Sequence, residues 1–223
     1  MTQPIPASVI QGAAARLSHE IRNSLTGISG ALDVLRDQLP RSPEVEEVWT
    51  RVKREVGRIE LSLAELNAFA DASPPVLQTR NLHQIIDRVL NREVHTSTTR
   101  VTRRYCRTLP DVTVDEKLLH DALGRLLRNA FEAMPQGGLL TITTHYTPEH
   151  VLLSIRDTGA GLAPDALRSV FEPFYSSKTR GLGLGLAIAR RHIEAHGGSI
   201  SAASTPDGGT EFTVSLPIPT RRR

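Results

Sequence analysis

The sequence predicts an α+β protein: an N-terminal antiparallel helical hairpin forming a dimeric four-helix bundle, followed by an α/β sandwich domain. Three observations carry this. Apolar residues up to Ala70 recur in steps of three and four, the period of an amphipathic helix. The stripe is cut once, at Pro40-Arg-Ser-Pro43, where helix cannot continue. Beyond Ala72-Ser-Pro-Pro-Val76, short alternating runs interleave with helical ones, the pattern of helices packed on a mixed sheet. The division is expected at residue 73, giving units 1–73 and 74–223.

The first helix is marked by Ile10, Ala14, Leu17, Ile21, Leu25, Ile28, Leu32, Leu35 and Leu39. Ser42 can cap the second, with Pro43 at its first helical position, and Val45, Val48, Val52, Val56, Ile59, Leu63, Leu66 and Ala70 form its stripe. A two-helix unit is a poor core at this size, so a second copy is expected to complete a bundle as a homodimer. In the remainder, residues 82–90, 116–134 and 184–196 read as helices. Residues 99–105, 139–146, 151–157, 199–204 and 210–216 read as strands.

Composition narrows the function classes. With 39% hydrophobic and 23% charged residues in 223, the chain is neither disordered nor fibrous. No apolar run approaches the roughly 20 residues of a membrane helix, and the N-terminus lacks a basic segment before an apolar core, so a soluble cytoplasmic protein is expected. Cys106 stands alone, which excludes an internal disulfide and a cysteine-based metal cluster. A net charge of +3 is too small to argue for nucleic acid, and the basic run Arg100, Arg103, Arg104 and Arg107 reads as a solvated strand face.

Several segments carry chemistry. Asp157-Thr-Gly-Ala-Gly161 follows a strand; its glycines Gly159 and Gly161 leave room for a flat ring, and its acid can accept from an exocyclic amine such as adenine N6. Gly181, Gly183 and Gly185 open the last helix, where free N–H groups and the helix dipole suit phosphates. Either motif alone also describes an ordinary turn or helix start. Between them, Phe171-Glu-Pro-Phe-Tyr-Ser-Ser-Lys178 can anchor a lid while Lys178 or Arg180 reaches a phosphate. Upstream, Asn129 and Glu132 lie one turn apart on a mainly apolar helix, and an asparagine amide suits Mg²⁺ bridging phosphates.

Together these residues resemble the transmitter core of a sensor histidine kinase. "LSHEIRNSLTGI" is similar to its phospho-acceptor box, "LLRNAFEAM" to its asparagine box, "DTGAGL" to its first glycine box and "FEPFYSSK" to its phenylalanine box. "GLGLGLAIARRHIEAHGG" resembles the second glycine box and "DGGTEF" the turn before the last strand. The resemblance spans about residues 8–217, and its histidine box followed by a prolyl hairpin is similar to the nitrogen-regulation subgroup. It implies a phosphotransfer hairpin and an ATP-binding domain, with ATP and Mg²⁺ as cofactors and His19 as acceptor. His19 lies two residues from both Leu17 and Ile21, which at about 100° per residue puts it roughly opposite the apolar stripe.

The resemblance also implies roles. Asn129 would ligand the metal, Asp157 with Gly159, Gly161 and Thr210 would hold the nucleotide, and Lys178, Gly181, Gly183 and Gly185 would contact phosphate. Glu20 would fix the tautomer of His19, and Asn23, one turn on, would orient water for a phosphatase reaction. The product would pass to an aspartate of a response-regulator receiver domain, docking near Ile21, Ser24 and Leu25. Departures from the family are Ser24, where proline is frequent; Arg125, where asparagine or glutamate is common; and Leu182, in place of a small polar residue. They leave open a nucleotide-binding phosphatase or scaffold with weak autokinase activity, and a gyrase-like ATPase that uses water. With about eighteen residues ahead of His19 there is no room for a sensor, so input is expected from a separate protein or from sequence outside this chain.

Overall fold

The computed structural model describes residues 7–39, 42–71, 73–93, 98–176, 181–205 and 208–218, with side chains of the first helix described from residue 20 onward. The chain divides into two compact units, Met1–Ala72 and Ser73–Arg223.

The first unit is the antiparallel hairpin of α1 (Ala7–Gln38) and α2 (Pro43–Ala70). Ser42 caps α2 in extended backbone, its hydroxyl accepting from the Val45 N–H, with Pro43 in the first turn where its missing N–H costs nothing. The helices meet along Leu25, Val56 and Leu63, with Leu32 and Val52 packed alongside. Near the turn, Arg36 grips Glu46 at 3.0 and 3.1 Å through one guanidinium nitrogen and lies 4.3 Å over the Trp49 ring. Lys53 binds Asp33 at 2.8 Å and the Ser29 carbonyl.

Part of the apolar stripe stays uncovered. Ile21, Ile28, Leu35 and Leu39 on α1, and Val48 and Ile59 on α2, are all more than 40% exposed in the single chain. Leu25, expected to offer a docking contact, is instead only 5% exposed, because it fills the seam against α2. Past the histidine, Ser24 and Thr26 donate to the carbonyls of Glu20 and Arg22. Such back-bonds bend a helix gently without breaking it, and α1 runs on unbroken.

The second unit is a two-layer sandwich. Its five-stranded sheet has the order β2-β4-β5-β7-β6, built from β2 (Thr99–Arg104), β4 (Gly138–Tyr146), β5 (His150–Arg156), β6 (Ser199–Ser204) and β7 (Thr210–Pro217). β2 runs parallel to β4 because a helix intervenes; the other pairs are antiparallel. A small separate sheet pairs β1 (Gln78–Arg80) with β3 (Val112–Val114). Inward residues alternate along the strands: Leu140 and Ile142, Val151, Leu153 and Ile155, then Phe212, Val214 and Leu216. They pack under α3 (Leu82–Glu93), α4 (Glu116–Ala133) and α6 (Gly185–Ala195), which contribute Ile85 and Val89, Leu123 and Leu126, and Ala189 and Ile193.

The predicted elements stand, with ends shifted by a few residues. Three short ones were not foreseen: β1, β3 and α5 (Pro164–Ser169), each too brief to show a period.

Two polar residues lock α4 to α6. Asp115 caps α4, accepting from the N–H groups of Lys117 and Leu118 through Oδ1 and of Val76 through Oδ2. Its own N–H donates to Nε2 of buried His196, whose Nδ1 lies 2.6 Å from the His192 carbonyl. Through those two ring nitrogens His196 clamps the end of α6 to the start of α4. Asp115→Ala is expected to cost about 1–2 kcal/mol, read as a lower melting temperature, whereas Asp115→Asn, which keeps a capping oxygen, loses less.

Candidate functional site

The site is organised by Asp157, the residue after β5. Its backbone N–H donates to the Thr210 carbonyl at 2.9 Å, which extends the β5–β7 ladder by one rung. The residue is 1% exposed, and one carboxylate oxygen, Oδ1, accepts from the N–H groups of Gly159 and Thr210 at 2.8 and 3.1 Å. The other, Oδ2, is buried with no hydrogen-bond partner among the described residues. Burial pushes this carboxyl above its ordinary pKa, partly offset by the Gly159 and Thr210 donors. An unsatisfied buried carboxylate oxygen is costly unless something supplies a donor.

Glycines let backbone close around it. A Cβ on Gly159 would strike the Ala133 carbonyl at the end of α4, and one on Gly209 would strike the carbonyl of Asp157 itself. Gly161 has φ +70° and a Cβ there would run into the Thr205 carbonyl. Ser204, a residue the sequence did not single out, knots these loops: its hydroxyl donates to the Gly209 carbonyl, accepts from the Leu162 N–H and meets the Thr210 hydroxyl at 3.1 Å. Only a serine at the end of a strand marks it in the sequence. Thr158 joins the same floor, accepting from the Leu139 N–H and meeting Met134 Sδ.

Thus Asp157, Gly159, Gly161 and Thr210 converge. Asn129 lies one helical turn before Ala133, whose carbonyl underlies Gly159, so it belongs to the same end of α4. Gly181 and Gly183 have φ of +106° and +69°, and Gly185 is the first residue of α6. Gly183 backs onto the Phe174–Tyr175 peptide, and Phe174 itself has φ +64°. Among the described residues no side chain caps α6.

Lys178 and the side chain of His19 lie outside the described residues, although the backbone of His19 is within α1. Glu20 and Asn23 are exposed on α1, in the first unit. Arg125 is only 11% exposed, and its Nε donates to Asp121 at 2.8 Å.

Two family models match the chain: His Kinase A (phospho-acceptor) domain over residues 10–75, and Histidine kinase-, DNA gyrase B-, and HSP90-like ATPase over residues 114–220. Sporulation kinase C of Bacillus subtilis (strain 168) is 32% identical over 215 residues, covering 95% of this chain and 50% of that protein. Among solved structures, full-length ShkA in complex with AMPPNP superposes with a TM-score of 0.79 at 27% identity, over 92% of this chain and 45% of that one. The mycobacterial sensor histidine kinase MprB superposes with a TM-score of 0.58 at 30% identity, over 64% of this chain and 97% of that one. The chain spans about half the length of the curated relatives it matches.

Gly161 and Gly181 make a controlled pair, since both need left-handed backbone but a Cβ at Gly181 meets nothing within 4 Å among the described residues. Gly181→Ala is expected to cost about 1–2 kcal/mol from the backbone alone. Gly161→Ala adds a collision with the Thr205 carbonyl and is expected to lower the melting temperature further, as thermal denaturation of the two variants would show.

Proposed function

Because this chain belongs to the histidine kinase family, we propose that it is the transmitter core of an ATP-dependent protein kinase that phosphorylates its own His19 and passes the group to an aspartate of a response regulator. The observation that carries the nucleotide half is the buried, partnerless Oδ2 of Asp157. An ionised carboxylate can only accept, so the ligand must bring a donor, and the exocyclic amine of adenine is one. Gly159, Gly161 and Thr210 shape the floor on which the base would lie. Gly181, Gly183 and Gly185 would present N–H groups to the phosphates, with Lys178 as a further contact.

Among the described residues no group of three or more His, Cys, Asp or Glu side chains could hold a metal. Mg²⁺ arriving on the triphosphate keeps phosphate and water oxygens and needs few ligands from the protein. Asn129 would hold it through its amide oxygen. When bound, the ion would supply positive charge against the phosphate oxygens.

The acceptor step uses neutral imidazole, abundant near pH 7 at an unperturbed pKa of about 6.5. One ring nitrogen of His19 forms a bond to the γ-phosphorus as the bond to the ADP oxygen breaks, in line with it. The other nitrogen gives up its proton to Glu20, which also holds the ring in the required tautomer. Asn23, one turn on, can orient water for a later dephosphorylation without being consumed. The uncovered stripe of Ile21, Ile28, Leu35, Leu39, Val48 and Ile59 supports a homodimer in which two hairpins form a four-helix bundle.

Incubation with radiolabelled ATP and Mg²⁺ tests the reading: label that is acid-labile and alkali-stable is expected on the protein and absent from His19→Gln. Label that survives the substitution, or ATP hydrolysis unaffected by it, would point to water as acceptor. A second expectation follows from Asp157. Its folded pKa lies above the unfolded one, so its contribution to stability is present at low pH and lost as pH rises through the folded value. Nucleotide affinity moves the other way, because only the ionised form accepts freely. Titrations at stepped pH should show affinity falling as pH drops toward the carboxylate range.

A further inference from the structure

A second polar cluster lies between α4 and α6, away from Asp157. Asp121 Oδ2 accepts from Arg125 Nε at 2.8 Å and stands 3.4 Å from Nδ1 of His192 on α6. Arg125 and His192 are each only 11% exposed in their side chains, against 38% for Asp121. His192 Nδ1 is buried without a hydrogen-bond partner, so its approach to Asp121 is close but not aligned.

The two helices also carry the residues assigned above to the nucleotide. Along α4, Arg125 lies one turn after Asp121 and Asn129 one turn after Arg125; along α6, Gly185 opens the helix that reaches His192 two turns later. The spacing of α4 and α6 therefore sets the width of the slot in which base and phosphates would lie.

We propose that Asp121, Arg125 and His192 form a polar latch that fixes the spacing of α4 and α6, with Asp121 as its positioning residue and His192 as its proton-sensitive arm. The inference rests on reading the slot between those helices as a nucleotide site. The charged and titratable groups facing the His192 ring among the described residues are Asp121 and Arg125 from α4, and Arg191 and His196 from α6. Desolvation lowers its pKa, Asp121 alone working the other way. The ring is neutral at neutral pH, and its contribution to stability is present above the unfolded value and lost as pH falls toward the folded one. Once charged, it competes with Arg125 for Asp121 and is repelled by Arg125 and Arg191, and the latch loosens.

The test is the affinity of the whole chain for a fluorescent trinitrophenyl-ATP at neutral pH and at about pH 5.5, for wild type, His192→Leu and Asp121→Asn, each alongside a thermal melt. Titration of Asp157 is common to all three, so the comparison isolates the latch. Wild type is expected to lose affinity on acidification several-fold more than either variant, each relative to its own neutral value. Asp121→Asn is also expected to bind more weakly than wild type at neutral pH while remaining folded. Parallel pH profiles in all three would overturn the latch and leave the nucleotide site standing. Absence of binding by wild type at neutral pH would overturn the nucleotide reading, and the latch with it.

Discussion

The carboxylate of Asp157 is the point on which the second unit turns. Its oxygen Oδ1 ties the loop after β5 to the start of β7, through the N–H groups of Gly159 and Thr210, and in doing so commits the other oxygen to a buried position with nothing to accept from. That geometry is expensive for a fold alone, because a lost donor to a buried charged group costs on the order of 1–3 kcal/mol or more. It becomes economical only when a ligand supplies the missing donor. The neighbouring glycines follow from the same constraint: with a Cβ at Gly159 or Gly209 the loops could not approach closely enough to wrap the carboxylate.

The two units solve different problems of burial. The sheet domain closes its own core, with Phe212, Ile142 and Leu153 inaccessible beneath three helices. The hairpin does not, since among the described residues only Leu25, Val56 and Leu63 are buried along its seam while a stripe of aliphatic residues faces outward. Arg125, which stands where the family commonly carries asparagine or glutamate, is drawn along the helix toward Asp121.

Much of this was legible in the sequence because its signals are local. The period of the hairpin, the Ser42-Pro43 start of α2 and the glycines near Asp157 each reflect a backbone requirement that a few adjacent residues satisfy. What was hidden depends on distant partners. Leu25 shares the stripe of Ile21 and Ile28, and only the angle at which α2 packs decides that it is covered and they are not. Ser204 joins Leu162 to Gly209 across loops far apart in sequence, and His192 meets Asp121 across two helices. The strands β1 and β3 have three residues each, and pair with one another rather than displaying a period.

The most direct measurement exploits the unequal oxygens of Asp157. In Asp157→Asn the amide oxygen must stay opposite the N–H groups of Gly159 and Thr210, which forces the NH₂ into the place of Oδ2 and turns an acceptor into a donor. ATP offers an amine at the six position of its base and ITP a carbonyl, so competitive titrations with both report the polarity of that oxygen. Wild type is expected to prefer ATP by tenfold or more, the order of one well-placed hydrogen bond to a charged group, and the variant to lose or reverse that preference. Equal discrimination by wild type and Asp157→Asn would contradict the account, because the buried oxygen would then play no part in reading the base.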